Sequence, residues 1–283
     1  MKHLTFILPL FCAFQLNAQS LLWEISGNGL TEKSYLFGSI HIQDKRVFEL
    51  DSLAWNGFNE SKYFALEFDI ENIDPMAMAK RMIMQQSYEE LLSKEDFKLL
   101  KKVAKKYVDA PFMGLKRMKP FFVAAAISQS VLPKDEKDPL DLFLLKKARK
   151  ANKTILELES FDLQMDVIDS FSFEEQLQTL IELIHTPNLE DSLKKESEEL
   201  IQAYLNQSDK KLYKLLMESD DNEEFMKKFI NERNHNMAKK ILTFLPNGGT
   251  FIVVGAGHLA GDEGLVNLLK TNGYTLTPLC SCF

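Results

Sequence analysis

Cysteine is scarce in this chain: three residues in 283. That is too few to staple it together, so a hydrophobic core must hold it. Basic runs are missing too. With a formal net charge of −7, the chain lacks the positive footprint that phosphate-backbone binding needs, which argues against nucleic acid as a partner. Beyond the first 16 residues no stretch is apolar enough to span a bilayer, so no stable membrane span is expected. No short period repeats along the chain, which argues against a solenoid. Histidine is rare, five residues in all, and that rarity makes each position informative.

What is present begins with "MKHLTFILPLFCAFQLNAQS". Lys2 and His3 give a basic start, Leu4 to Leu16 is mostly apolar, and Ala18 is a small residue at a cut site. This reads as a signal peptide over 1–18 and predicts export to the periplasm or the medium, with an uncleaved anchor as the alternative. The remainder, 19–283, is long enough for a sizeable core in one domain. Its hydrophobic fraction of 45% is that of a globular protein. Cys280 and Cys282 stand in the terminal "CSCF". In an extended tail their Cα atoms lie about 6.6 Å apart, at the edge of disulfide reach. An ordinary tail, a disulfide and a metal or redox pair all fit that spacing.

The order of elements reads as α/β. "SLLWEISG" and "KSYLFGSIH" are strand-like runs around Asn28-Gly29, a hairpin signal. "LDSLAWNGFNES" has helical spacing and "KYFALEFDI" follows as a strand, which predicts a parallel crossover. From about 74 to 135 the chain reads as a helical insertion. Asp74-Pro75 opens one helix, Ser93 and Asp96 open a second, and "KPFFVAAAISQSVL" predicts a more buried third. Met76, Met78, Met82 and Met84 suit core filling, with a flexible binding surface as the alternative. "DPLDLFLLKKARKANKTILELES" reads as helix then strand, and "NERNHNMAKKILTFL" as a helix. "TFIVVGAGH", "GDEGLVNLLKTNG" and "YTLTPL" then repeat the strand–helix–strand order of the N-terminal part.

Both copies carry Gly-x-x-His at the end of the first strand: Gly38 to His41 in "FGSIH" and Gly255 to His258 in "VGAGH". Ligands of open α/β sheets bind at the carboxyl edge of the strands. A glycine there lets the chain turn sharply where a side chain would clash, and the histidine three residues on projects from the edge. Two such units side by side would bring His41 and His258 together across 217 residues of sequence. Glu67, ending the strand in "FALEFD", supplies a carboxylate. Two imidazoles and a carboxylate make a common catalytic metal site. Separate structural histidines and coincidence are the other readings of the same pattern.

On these residues the chain resembles the TraB/PrgY/GumN family. "YLFGSIHIQDKRVFELDSLAWNGFNESKYFALEFD" resembles its opening pattern, a strand, Gly-Thr-x-His, a helix and a strand ending in Glu. "VVGAGHLAGDEGLVNLLKTNGYTLTPL" resembles its closing motif, and "PLDLFLLKKARKANKTILELES" and "ERNHNMAKKI" its central Asp, Leu-Glu and Arg-Asn patterns. The family is similar to the Tiki metalloproteases. The resemblance implies two pseudo-symmetric strand-GxxH-helix-strand halves in a mixed sheet, with the helical insertion capping the cleft. It also implies a divalent metal, manganese or cobalt ahead of zinc, and hydrolysis of peptide bonds in a peptide or protein substrate. Carried over, His41, Glu67 and His258 are metal ligands, Glu67 doubles as a base, and Arg233 and Asn234 serve the chemistry, Arg233 by stabilising an oxyanion. Ser39 replaces the family threonine and keeps its hydroxyl, and Asp141 and Glu159 match family positions without assigned roles. The alternative is a non-catalytic binding protein that captures a secreted peptide on the same scaffold. Haem or metal-ion capture rests on distant fold analogy alone. His235 reads as a surface helix residue and His185 as a helix end.

Overall fold

The computed structural model describes residues 20–218 and 227–279. The expected signal peptide, 1–18, and Cys280 and Cys282 lie outside the described residues. Six strands form one mixed sheet: β1 (Leu22–Gly27), β2 (Ser34–Ser39), β3 (Tyr63–Leu66), β4 (Thr154–Glu157), β5 (Thr250–Gly255) and β6 (Tyr274–Pro278). Their spatial order is β4-β3-β5-β2-β1-β6. β2, β3 and β4 run parallel to β5, while β1 is antiparallel to its neighbours β2 and β6. The hairpin turn between β1 and β2 takes positive φ at Gly27, Asn28 and Gly29 (79°, 47° and 80°), the backbone state that glycine and asparagine tolerate best.

β5 is central because its sequence is apolar on both sides: Phe251, Ile252, Val253 and Val254 are all buried. On one face the Phe251 ring stacks on Phe37 and Phe64. Helix α1 (Ser52–Glu60), capped by Asp51, lays Phe58 edge-on against Phe251 at 5.7 Å. Tyr35 faces α1, where the Gly57 backbone lies against its ring. Gly38, three residues along β2, points to the opposite face, as strand alternation requires. There the chain leaving β5 packs Ala256 and Leu259 against it. The two Gly-x-x-His units therefore share one sheet, their leading strands are neighbours, and their outgoing chains pack on opposite faces. β1 lies between β2 and β6 and breaks the symmetry of the two halves.

Between β3 and β4 come α2 (Pro75–Met82), α3 (Tyr88–Leu91), α4 (Lys94–Tyr107), α5 (Phe112–Leu115), α6 (Pro120–Gln129) and α7 (Leu140–Lys150). After β4 come α8 (Phe161–Ser170), α9 (Phe173–His185), α10 (Leu189–Leu205) and α11 (Asp209–Glu218). A π-helical turn, Lys227–Glu232, leads into α12 (Arg233–Phe244), and α13 (Leu265–Thr271) joins β5 to β6. α4 and α6 share a second apolar cluster, built on Tyr88, Leu100, Val123 and Ile127. It is completed by Leu180 and Ile184 of α9 and by Leu189 and Leu193 of α10, so the helical layer draws on both sides of β4. α6 buries Pro120, Val123 and Ile127, a single stripe. α2 buries nothing, and Met76 is 81% exposed. The methionines of α2 therefore fill no core; that helix is tied to α8 by ion pairs from Arg81 to Asp162, Asp166 and Asp169, while Met84, just beyond it, packs on the second cluster. Among the described residues no helix is long and apolar enough to cross a membrane.

Of the two reasons expected for the motif glycines, a sharp turn and the clash of a side chain, only the second holds. Neither Gly38 nor Gly255 has positive φ. What they need is space. A Cβ on Gly38 would stand 2.7 Å from Leu259 Cδ1 and 3.0 Å from Ala256 Cα. Ala256–His258 is a single 3-10 turn seated on the first motif's glycine. Gly38→Val should accordingly destabilise the fold by about 1–3 kcal/mol through overpacking against backbone. A thermal melt checks this, and an unchanged midpoint would contradict it.

Candidate functional site

β2 and β5 end side by side, with Ser39 level with Gly255. β3 flanks β5 and ends at Leu66, which delivers Glu67 to the same edge. Glu67 Oε1 accepts the Gly255 backbone N–H at 2.7 Å. Its Oε2 accepts from Arg233 Nη2 at 2.6 Å and from Gln164 Nε2 at 3.1 Å. Arg233, the first residue of α12, is 3% exposed and also donates to Glu159, through Nε to both oxygens at 3.1 Å and through Nη2 to Oε1 at 2.5 Å; the Glu159 side chain is fully buried. Gln164, from α8, bridges the two carboxylates through a 2.6 Å bond to Glu159 Oε1. Burial opposes ionisation of Glu67, but the Arg233 guanidinium, the charge of His258 when it is protonated and the Gly255 N–H outweigh it and lower the carboxyl to about 2.

His258 faces this carboxylate from the second motif. Asn234, beside Arg233 on α12, donates its Nδ2 to the Glu263 carbonyl at 2.8 Å. Its Oδ1 must then accept, and it takes the Nδ1 proton of His258 at 2.6 Å. That fixes the tautomer and leaves Nε2 bare, 3.9 Å from Glu67 Oε1. His258 is 4% exposed, and burial pushes its pKa down to about 4 against the pull of Glu67. The sequence reading expected this ring to project from the edge, whereas it is buried because the turn folds back under α11 and α12. A neutral imidazole nitrogen and a carboxylate oxygen thus face one another, both acceptors. That donor pair suits a divalent cation, whose bonds to nitrogen and oxygen are about 2.0–2.2 Å long.

His41 stands at the surface, its side chain 59% exposed. Its Nδ1 donates to both oxygens of Asp141, on α7, at 2.9 and 3.0 Å, which raises its pKa above the ordinary 6.5. Asp141, unassigned by sequence, orients this ring through its Nδ1. The three expected ligands are not gathered: among the described residues no three His, Cys, Asp or Glu are arranged to hold an ion. The physical reason is that Asp141 holds His41 outward while Glu67 and His258 converge below.

The remaining candidates divide. Arg233 was expected to meet an oxyanion, and its guanidinium is instead enclosed between Glu67 and Glu159. The Ser39 hydroxyl donates to the Val254 carbonyl at 3.3 Å and braces the strands. A Cβ on Gly255 would press on Glu67 Oε1 at 3.3 Å and touch His258 Cδ2 at an ordinary 3.6 Å. His235 pairs with Glu263, and His185 with Asp96 at 2.7 Å, both exposed and outside the site. Sequence reasoning missed Gln164 and also Tyr204, a buried α10 residue whose hydroxyl donates to the Gly38 carbonyl at 3.0 Å. Neither carries a local signal, since each is one polar group on an amphipathic helix.

With this arrangement in view, comparison with known proteins is decisive at the family level: the sequence model of the TraB/PrgY/gumN family matches residues 21–278. The chain belongs to that family. This TraB/PrgY/gumN protein is similar to "Metalloprotease TIKI2" of Danio rerio, with 23% identity over 92% of this chain and 61% of the relative. It therefore spans about three fifths of that relative's length. It is also similar to an uncharacterized protein of Treponema pallidum (strain Nichols), with 21% identity over 89% of this chain and 80% of that one. No solved structure matches.

The buried pair makes acid sensitivity specific. Both folded pKa values lie below the ordinary 4.5 of Glu67 and 6.5 of His258, so the unfolded chain takes up protons first. Stability is complete above about 6.5, falls through the His258 window down to about 4, and falls further through the Glu67 window from 4.5 to about 2. His258→Gln should flatten the upper window, a change on the order of 3 kcal/mol. Urea melts of the metal-free protein across this range check it; equal slopes in both proteins would contradict it.

Proposed function

We propose that this protein is an exported metal-dependent hydrolase that cleaves peptide bonds. One observation carries the reading: Glu67 Oε1 and the bare Nε2 of His258 face one another across 3.9 Å, each braced from behind, at the carboxyl edge of adjacent parallel strands. The similarity to a metalloprotease agrees with it. A divalent ion bound there would supply Lewis acidity, polarising a carbonyl and making a water acidic near neutral pH. Glu67 and His258 would hold the ion, and His41 offers a third nitrogen from the surface side. A carboxyl held at about 2 is a weak base, so Glu67 is assigned to holding the ion rather than to taking the proton of the attacking water. Arg233 and Glu159 keep Glu67 ionised and in place, and Asn234 keeps the His258 proton on Nδ1. The N-terminal pattern supports export, and the choice of manganese or cobalt rests on the family resemblance.

A second reading, capture of a secreted peptide without cleavage, is favoured by the outward position of His41, which leaves only two donors facing one another. Metal titration by calorimetry with a peptide-cleavage assay separates the two. The enzyme binds manganese or cobalt, cleaves peptides, and stops on chelation. Glu67→Gln should lower both metal affinity and cleavage by about 100-fold or more while the protein stays folded. Peptide binding with no metal uptake and no cleavage would overturn the proposal.

A further inference from the structure

A cavity of about 260 Å³ opens between the starts of β1 and α1, the end of β2 and the end of α10. It shares no lining residue with the Glu67–His258 pair. Its inner walls are apolar: Leu22, Phe37, Val47, Ala54 and the ring of Tyr204 are all buried. Its outer side is polar, where the more exposed Arg46, Glu49, Asp51 and Gln207 stand. The walls also hold the first motif's glycine. The Gly38 N–H donates to the carbonyl of Leu21, another lining residue, at 2.8 Å, and the Tyr204 hydroxyl donates to the Gly38 carbonyl at 3.0 Å.

The charges on the outer side do not cancel. Arg46 is already engaged: Nε and Nη2 donate to Asp44 at 2.7 to 3.1 Å, and Nη1 and Nη2 donate to Glu198 at 2.9 Å. Asp51 gives Oδ1 to the Ala54 N–H at 2.8 Å, as the cap of α1. Glu49 is exposed and forms no ion pair among the described residues. Two carboxylates therefore line the entrance without a base of their own.

We infer that this cavity is a binding site for a small amine with an apolar body and an ammonium head. The claim is independent of the hydrolase reading. An apolar cavity of about 150 Å³ holds a benzene ring, so this larger one takes a ring and a short alkyl chain. The ring lies against Phe37, Val47 and Ala54, where burial is favourable. The ammonium stays at the entrance beside Glu49 and Asp51, with the Gln207 side-chain carbonyl as a neutral acceptor. A carboxylate head on the same body meets two like charges and an arginine whose charge already faces Asp44 and Glu198.

The test uses three probes of one shape on the full chain at neutral pH: 3-phenylpropylamine, 3-phenylpropanol and 3-phenylpropionate, titrated by calorimetry. The amine should bind about 3-fold tighter than the alcohol, and the alcohol about 3-fold tighter than the carboxylate, the scale of an exposed charge pair. Glu49→Gln, at an exposed position, should bring the amine level with the alcohol. Ala54→Leu, which fills the apolar end, should weaken all three by about 10-fold or more. If Ala54→Leu does not fold, as judged by circular dichroism, NMR of the wild type decides in its place: the amine should shift the Phe37 and Tyr204 ring signals and the Gly38 amide. Absence of binding, a carboxylate that binds as tightly as the amine, indifference to Ala54→Leu in a folded protein, or unmoved Phe37 and Tyr204 signals would each overturn the site.

Discussion

The site depends on one buried cation. Arg233 lies between Glu67 and Glu159, 3% exposed, with its guanidinium divided between them. One positive charge against two carboxylates leaves the cluster negative, and Gln164 shares the remaining hydrogen-bonding demand. An isolated buried carboxylate would protonate. Glu67 stays ionised because Arg233 stands behind it and the Gly255 N–H points at it. That ionised oxygen then confronts a histidine that burial keeps neutral. Breaking a buried pair of this kind is far more costly than removing it whole, so the cluster also ties α12 and α8 to the sheet edge.

A second constraint is steric. The turn that carries His258 sits on Gly38, the glycine of the other motif, and Tyr204 grips the carbonyl of the same residue. The two motifs are thus in direct contact, one shaped by the absence of a Cβ in the other. Their repetition in sequence reflects neighbouring parallel strands, and the glycine in each keeps room for what packs there: Ala256 and Leu259 on Gly38, Glu67 and His258 beside Gly255.

Much of the fold was legible because its signals are local. The Asn28-Gly29 hairpin, the Asp74-Pro75 and Ser93 helix starts and the apolar run of β5 each follow from a few neighbouring residues. The meeting of Glu67 with the second motif was legible from strand order. Three features were not. The bond from Asp141 that holds His41 outward joins residues 100 apart in sequence. The burial of His258 depends on how α11 and α12 pack. The work done by Arg233 depends on two acids from different strands reaching it at once. Each is a tertiary fact with no periodicity of its own. The apolar face of α2 misled for the opposite reason: helical spacing predicts a stripe but does not say that anything covers it.

The central claim is that His258 presents a bare Nε2 to an ionised Glu67. Nitrogen-15 NMR of imidazole-labelled, metal-free protein at neutral pH tests it directly. The account predicts a neutral His258 with its proton on Nδ1, and a shift confined to the Nε2 resonance when zinc is added as a diamagnetic stand-in. A proton on Nε2, or a doubly protonated ring at neutral pH, would contradict it.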